Sequence, residues 1–273
     1  MKHTKSFSVT ILALLLMSGF AGLMVAPGSP VGEASAYEGD GRGYVCITFD
    51  DVAESVYTIG YPVLSEAGLT ATVYPVVDWI GTNFSVSQGK AMSQAQLLSL
   101  QAAGWEIGSH SVTHREMTTL SLSEAEEEFA DSKTALEAMG FNIDTFAYPG
   151  GADNDTLREL GSKYYLRQRD YGGEESLYLK EYPAVINTTA SSRATSFAVV
   201  TSAIDRAIAA DGVIVFTLHG IRADGVLLYP GQSPDYLDYT IQDLVDLIRE
   251  RMDSDGLRCI NFRDLPNSVT SYI

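Results

Sequence analysis

After residue 40, short apolar segments rich in β-branched residues alternate with longer segments in which apolar positions recur at helical spacing. Such short runs are typical of buried strands, and such recurrence is typical of amphipathic helices. The pattern predicts strands over residues 43–49, 69–76, 104–108, 143–148, 163–168, 182–187, 212–218 and 257–262. It predicts helices over residues 53–67, 93–103, 122–139, 154–162, 195–210 and 238–253. Ser123 and Glu126 have capping-box spacing at the start of the third helix.

Strands that alternate with helices predict parallel β-strands joined by helical crossovers. About seven or eight such units in one domain predict an α/β fold that is a closed or nearly closed (β/α) barrel. An open doubly wound sheet is the alternative. In both architectures the functional residues collect at the C-terminal ends of the strands.

The first 36 residues have the pattern of a secretory signal peptide. Lys2 and Lys5 precede an apolar run from Val9 to Ala26, and small residues lead to a cleavage point after Ala36. An uncleaved membrane anchor is the alternative, because the apolar run approaches spanning length. In both cases we expect residues 37–273 to form a single exported domain.

The chain of 273 residues has a formal net charge of −17. Removal of residues 1–36 leaves 16 basic and 34 acidic residues, a net charge of −18. Such a surface repels nucleic acid and anionic membranes, and it suits a neutral or cationic substrate. The two cysteines, Cys46 and Cys259, would form a disulfide or remain buried thiols. They have no CxxC spacing, which argues against a cysteine zinc site.

Two adjacent carboxylates, Asp50 and Asp51, follow the apolar segment "YVCITFDDV". Ionised carboxylates are costly to bury without a partner, and a neighbouring pair repels unless a cation lies between them. Aspartate is also favoured at helix N-caps, so capping of the next helix is the alternative explanation.

Three of the four histidines also lie near predicted strand ends. His110 and His114 stand four residues apart in "WEIGSHSVTH", and His219 follows the apolar run "VIVFTL". An HxxxH pair alone is weak evidence, but three histidines and two aspartates at strand ends together predict a metal site. Asp51, His110 and His114 would hold a divalent cation and leave positions open for water and substrate.

The same cation would offset the second carboxylate, so that Asp50 could stay ionised and act as general base. Zinc suits the ligands, although iron, cobalt, nickel or manganese would fit a similar set.

The segments "TFDDV", "SHSVTH", "FAYPGG" and "TLHG" occur in this order. They resemble the successive motifs of the polysaccharide deacetylase family, the NodB-homology carbohydrate esterases, and the resemblance covers residues 42–265. It implies a distorted (β/α) barrel of about seven parallel strands and a metal-dependent N- or O-deacetylase, a hydrolase of non-peptide C–N bonds.

The resemblance also implies a role for each matching residue. Asp50 would be the catalytic base, with Asp51, His110 and His114 as metal ligands. His219 would be the general acid that protonates the leaving amine or alcohol. The remaining matches concern the substrate: the Gly150 N–H would face the oxyanion, Leu218 would line the acetyl pocket, and Tyr148 and Pro149 would flank the groove. Core packing is an equally good explanation for Tyr148.

The third motif departs from the family pattern. Many members carry an arginine and an aromatic residue where this chain has Ala147 and Gly150. Arg169, on the next predicted strand, would supply the missing guanidinium, and Arg167 is the competing choice. The alternative is that both are surface arginines. The usual tryptophan motif is not recognisable, since Trp79 and Trp105 come earlier.

The sequence thus predicts a secreted, metal-dependent deacetylase of acetylated glycans. A related amide hydrolase acting on a small molecule and a non-catalytic glycan-binding protein are the alternatives. No nucleic acid partner is expected, and no membrane contact beyond an N-terminal anchor. The sequence specifies neither the glycan nor the oligomeric state.

Overall fold

The structure is a computed structural model of the chain. The residues that it describes are 43–51, 53–82, 89–170, 185–186, 189–190, 196–209, 211–228 and 236–266. The predicted leader, residues 1–36, lies outside these ranges. Within them, no helix has both the length and the hydropathy that a bilayer crossing requires.

Eight of the strands in the described residues lie close to the positions that the apolar runs predict, and β7, β9 and β10 have no predicted counterpart. They are β1 (Tyr44–Asp50), β2 (Thr72–Tyr74), β3 (Glu106–Ile107), β4 (Thr145–Ala147), β5 (Arg167–Arg169), β6 (Val185–Ile186), β7 (Thr189–Ala190), β8 (Val213–Leu218), β9 (Val226–Leu228), β10 (Tyr236–Thr240) and β11 (Arg258–Cys259). The fifth predicted strand, 163–168, is displaced, because β5 begins only at Arg167.

β1 is the centre of the main sheet. It pairs in parallel with β2 on one side and with β8 on the other, and the order across the sheet is β3-β2-β1-β8-β7. β11 pairs with its first two residues, Tyr44 and Val45. All residues of β1 are buried. A parallel strand covered on both faces reads as a continuous apolar run, as this one does up to Asp50.

A second parallel sheet has the order β4-β5-β6. A parallel bridge between Ser109, just after β3, and Phe146 of β4 joins it to the main sheet. The pairing therefore passes in chain order from β1 through β6, while β7 and β8 lead back to β1. The predicted parallel strands with helical crossovers are confirmed.

The helices also match their predicted positions. They are α1 (Tyr61–Glu66, preceded by a π-helical turn), α2 (Gln94–Ala102), α3 (Leu122–Ala138), α4 (Asp155–Gly161), α5 (Phe197–Ala209) and α6 (Ile241–Asp255). The capping box of α3 is formed by Ser121 and Glu124, so the prediction of Ser123 and Glu126 is wrong. Both pairs have the same spacing, and the chain enters the helix at the earlier one.

β9 and β10 form an antiparallel hairpin that the apolar pattern did not predict. It follows β8, and β10 ends at Thr240, whose side chain accepts a hydrogen bond from the Asp243 N–H and caps α6. The predicted helix over 238–253 therefore starts at Ile241, because its first residues belong to the hairpin.

Cys46 and Cys259 lie on the neighbouring strands β1 and β11, and both are free thiols. Of the two alternatives, free thiols are what the structure contains: Cys46 is buried and Cys259 is partly buried. Burial raises the pKa of the Cys259 thiol to about 12, so this thiol is un-ionised and unreactive at neutral pH.

Gly108, between β3 and the site residues that follow, has no room for a side chain. A Cβ at this position would lie 2.6 Å from Cδ1 of Tyr74 and 2.7 Å from Oγ1 of Thr145. Both neighbours are fully buried strand residues that cannot easily move aside. We therefore expect Gly108→Ala to lower the free energy of unfolding by about 1–3 kcal/mol. Urea denaturation measures the effect, and an unchanged midpoint would contradict it.

Candidate metal centre and active site

The candidate site lies where several parallel strands end. Asp50 ends β1, where it pairs with Tyr74 of β2, and Phe49 pairs with Leu218 of β8. Because the carboxyl ends of parallel strands meet at one edge, residues far apart in sequence converge here. The structure thus brings the "DD" pair, the "SHSVTH" loop and His219 together.

Asp51, His110 and His114 each offer one ligand atom, and the three atoms lie within 4.8 Å of one another. Oδ1 of Asp51 is 3.5 Å from Nε2 of His110 and 3.2 Å from Nε2 of His114. Burial acts to raise the pKa of the Asp51 carboxyl, but the hydrogen bond with His114 and the nearby imidazoles hold it well below its usual range. Two imidazole nitrogens and a carboxylate oxygen in one cluster are a donor set that suits zinc.

His110 is held in one tautomer. Its Nδ1–H donates to the Ala147 carbonyl at 2.8 Å, and its backbone N–H donates to the Pro75 carbonyl at 3.0 Å. Burial lowers the pKa of His110 to about 4, so the imidazole is neutral at neutral pH. The Nε2 lone pair therefore faces Oδ1 of Asp51, an arrangement of two acceptors that a cation between them would stabilise.

Three residues of the site have left-handed backbone conformations, although none is glycine. The φ angle is 66° at Asp51, 68° at Ser111 and 62° at His114. Each such residue costs about 1–3 kcal/mol and persists only where its surroundings enforce it. Backbone strain of this kind, concentrated in two ligands and the residue beside a third, is typical of a functional site.

The loop between the two histidine ligands is fixed from several directions. The Ser111 hydroxyl accepts the His114 N–H at 3.0 Å, and the Trp79 indole packs on the His114 ring with centroids 4.8 Å apart. The buried Glu128 carboxylate of α3 accepts the backbone N–H groups of Val112 and Thr113 at 2.8 and 3.1 Å.

Asp50 has a different partner from its neighbour. Its Oδ1 accepts a hydrogen bond from Nη2 of the fully buried Arg169. Burial acts to raise the pKa of the Asp50 carboxyl, but the Arg169 charge holds it below its usual range, so Asp50 stays ionised. The Arg169 guanidinium also donates to Oγ1 of Thr217 at 3.0 Å and lies over the Tyr74 ring, 4.8 Å from its centroid.

His219 follows β8 and faces the metal ligands. Its Nε2 lies 4.0 Å from Oδ2 of Asp51, and burial lowers the pKa of its imidazole. The preceding Leu218 is buried in the core, paired with Phe49 across the β1–β8 ladder.

The side chains of the "FAYPGG" segment contribute less surface to the substrate groove than the resemblance implies. The Tyr148 ring is buried against Phe129 and Phe146, and its hydroxyl donates to Gln168. Of the two explanations for Tyr148, core packing is the one that the structure supports, because a phenol satisfied inside the core does not flank a groove. Pro149 is also buried, while Gly150 is exposed with φ 65°.

The chain is similar in sequence to known polysaccharide deacetylases. The profile of the polysaccharide deacetylase family matches residues 38–168. This segment of the chain is therefore similar to the polysaccharide deacetylase family. YxkH, a polysaccharide deacetylase homologue from Bacillus subtilis, is 31% identical over 120 residues, which are 44% of this chain and 41% of that protein. The chain spans about two fifths or less of the curated relatives that it matches.

Solved structures of polysaccharide deacetylase relatives share the fold. A family 4 carbohydrate esterase from Streptomyces lividans, solved with acetate, has a TM-score of 0.53 and 21% identity over 84% of this chain and 98% of its own. A CE4 family pseudoenzyme from Bacillus anthracis has a TM-score of 0.57 and 17% identity over 82% and 65%. The predicted fold class, a distorted (β/α) barrel of the polysaccharide deacetylase type, is confirmed.

Ala147, where the sequence departs from the motif arginine, has an arginine beside it on the next strand. Ala147 and Arg169 are directly paired across the β4–β5 ladder, and it is Arg169 that contacts Asp50. Arg167 instead donates to the carbonyls of Arg263 and Leu265. Neither is a surface arginine, since both side chains are buried.

Four side chains around the site were not predicted. They are Tyr74 and Thr217, which contact Arg169, and Trp79 and Glu128, which contact the histidine loop. For Glu128 a signal exists in the sequence: it lies at helical spacing with Ala125, Ser132 and Leu136, on the buried face of α3. A carboxylate on such a face needs a partner.

Proposed function

We propose that the protein is an exported, metal-dependent hydrolase that removes acetyl groups from an N- or O-acetylated glycan. The observation that carries the proposal is the convergence of three potential ligands, Asp51, His110 and His114, with Asp50 and His219 at one edge of the barrel. The match to the polysaccharide deacetylase family supplies the reaction class, which is deacetylation. The site contains a candidate residue for each step of that reaction.

The residues present fit a divalent metal ion. The tautomer of His110 directs a lone pair at Asp51, and His114 lies on the same side of that carboxylate. Asp51, His110 and His114 would hold the ion. When bound, it would supply a Lewis acid and a lowered pKa for a coordinated water.

The protein groups then carry the proton transfers. The Asp50 carboxylate, oriented by Arg169, would accept the proton of the attacking water as its oxygen bonds to the acetyl carbon. The exposed Gly150 backbone N–H would donate to the developing oxyanion. His219 in its imidazolium form, which the nearby Asp50 and Asp51 carboxylates favour against the effect of burial, would donate a proton to the leaving amine or alcohol as the C–N or C–O bond breaks, and acetate would be released.

A polymeric or oligomeric substrate is supported by two features. Export would place the domain outside the cell, and the glycine at position 150 leaves the groove wall without the aromatic residue of many relatives. The strongly negative chain favours a neutral or cationic glycan over an anionic one. Export itself is tested by sequencing the N-terminus of the protein recovered from the medium, which we expect to begin at Tyr37.

A non-catalytic glycan-binding protein is the second candidate, because Ala147 replaces a motif arginine and one structural relative is described as a pseudoenzyme. The contact between Arg169 and Asp50 weighs against it, since a guanidinium still orients the proposed base. Acetate release separates the two candidates.

Metal removal provides the direct test. The purified protein would be incubated with acetylated chitin, peptidoglycan, xylan and poly-N-acetylglucosamine oligomers, and free acetate would be measured. We expect release on at least one glycan, loss after chelation, and recovery when one equivalent of zinc or another divalent ion is returned. Release on no glycan despite bound metal would favour a small-molecule amide as substrate. If the protein neither releases acetate nor binds a metal ion, the proposed metal site is wrong.

A further inference from the structure

Glu128 connects α3 to the loop that carries two proposed metal ligands. Its side chain is 3% exposed. Oε2 accepts the N–H groups of Val112 and Thr113, and Oε1 accepts the Thr113 hydroxyl. Arg115 contributes an ion pair at 3.4 Å. One carboxylate on a rigid helix thus holds the middle of the segment between His110 and His114.

This segment would not keep its shape unaided. Ser111 and His114 both have positive φ angles, and the carboxylate binds the two residues that lie between them. The carbonyls of the loop are bound by the turn after β2, where Val77 and Asp78 donate to Ser111 and Val112 at 3.2 and 3.1 Å. Glu128 binds the N–H groups of the loop, so the loop is clamped through both its donors and its acceptors.

The two histidines depend on this clamp to different degrees. His110 is fixed independently through Ala147 and Pro75, before the loop begins. His114 lies beyond the clamped residues, and its side chain is 29% exposed. Its place therefore depends on the loop conformation, together with the Ser111 hydroxyl and the Trp79 ring.

We infer that Glu128 is a positioning residue of the metal centre, whose carboxylate sets the loop conformation that presents His114 to the ion. The inference rests on the proposed metal site and extends it beyond the ligands. Groups that orient metal ligands commonly change metal affinity by about 10–100-fold when they are removed.

The test measures zinc affinity by competition with a chromogenic chelator, in the full-length protein. Glu128→Ala is expected to weaken zinc binding about 10–100-fold, because the two backbone N–H groups lose their acceptor and the loop relaxes. Glu127→Ala, at the preceding and exposed position of α3, is the matched control and is expected to bind zinc like the wild type. Glu128→Gln keeps one acceptor oxygen and is expected to recover most of the affinity, to within about fivefold.

A purely structural role would lower stability without changing the metal site. Thermal unfolding with a chelator present reports metal-free stability, and the visible spectrum with Co²⁺ reports the ligand set. If Glu128→Ala lowers only the metal-free Tm and retains the wild-type zinc affinity and Co²⁺ spectrum, the inference is wrong. Should this variant fail to fold, Glu128→Met replaces it, because this side chain fills the buried volume but offers the Val112 and Thr113 N–H groups no oxygen acceptor. Unchanged zinc affinity in Glu128→Met would overturn the inference.

The wild type separates this inference from the proposed function. Zinc binding and acetate release by the wild type, with unchanged zinc affinity in Glu128→Ala, would refute only the role of Glu128. Failure of the wild type to bind any divalent ion would refute both.

Discussion

Asp50→Asn is expected to lower kcat/KM for acetate release by about 10²–10⁴-fold, the usual contribution of a general base. An amide has nearly the same shape as the carboxylate but cannot accept the proton of the attacking water. Metal affinity should remain close to that of the wild type, because Asp51, His110 and His114 are all retained. Acetate release and zinc competition on the same preparation test both expectations.

The substitution also has a structural cost. Arg169 is 1% exposed, and Asp50 is the carboxylate that it contacts. Removing one partner of a buried ion pair leaves an uncompensated charge, which costs about 3–5 kcal/mol of stability. Kinetics must therefore be measured below the onset of unfolding, as followed by circular dichroism.

Asp253→Asn is the matched control, because it removes an aspartate that is 75% exposed on α6. We expect it to retain the wild-type activity and stability. If Asp50→Asn loses the metal ion, Asp50 is a metal ligand. If the variant binds the metal and keeps full activity, Asp50 is not the general base.

The main sheet could be predicted because its strands are covered on both faces. β1 and β8 are continuous apolar runs that end at functional residues, so the sequence marks both the strand and the point where its side chains reach the site. The position at the end of an apolar run is enough to identify Asp50, Asp51 and His219 as candidate site residues. The histidine pair is found because its spacing follows directly on a third strand.

β5 shows where the same reasoning fails. Its three residues, Arg167, Gln168 and Arg169, are all polar and all buried. Each is satisfied by a distant partner: Arg167 by the C-terminal segment, Gln168 by Tyr148 and Arg158, and Arg169 by Asp50. An apolar pattern cannot locate a strand whose burial is compensated by hydrogen bonds rather than by hydrophobic contacts.

The strained loop is a second limit. Nothing in the residue types of Ser111 and His114 predicts positive φ angles, since neither is glycine. Tertiary contacts with Glu128 and with the turn after β2 impose this loop conformation. Sequence therefore indicates the ligands, while their geometry depends on side chains that only the fold brings together.

Arg169→Met is expected to reduce kcat/KM about 100-fold or more, because Asp50 loses the group that fixes its position beside the metal centre, and misplacement of about 1 Å has this effect. It should also destabilise the protein by about 3–5 kcal/mol, since the buried Asp50 carboxylate is left without its cation. Arg169→Lys retains the charge but not the paired contacts with Asp50 and Thr217, so its losses should be intermediate.

Arg167→Met is the matched comparison, because Arg167 lies on the same short strand and is equally buried. Its guanidinium binds the carbonyls of Arg263 and Leu265, so the variant should lose about 1–3 kcal/mol for each unpaired carbonyl. The kcat/KM of its folded fraction should equal that of the wild type, because no contact with Asp50 is lost. Stability from urea denaturation and kcat/KM from acetate release, measured for both variants, separate the two roles. A loss of kcat/KM in Arg167→Met as large as that in Arg169→Met would show that the position of the arginine beside Ala147 has no special importance for the base.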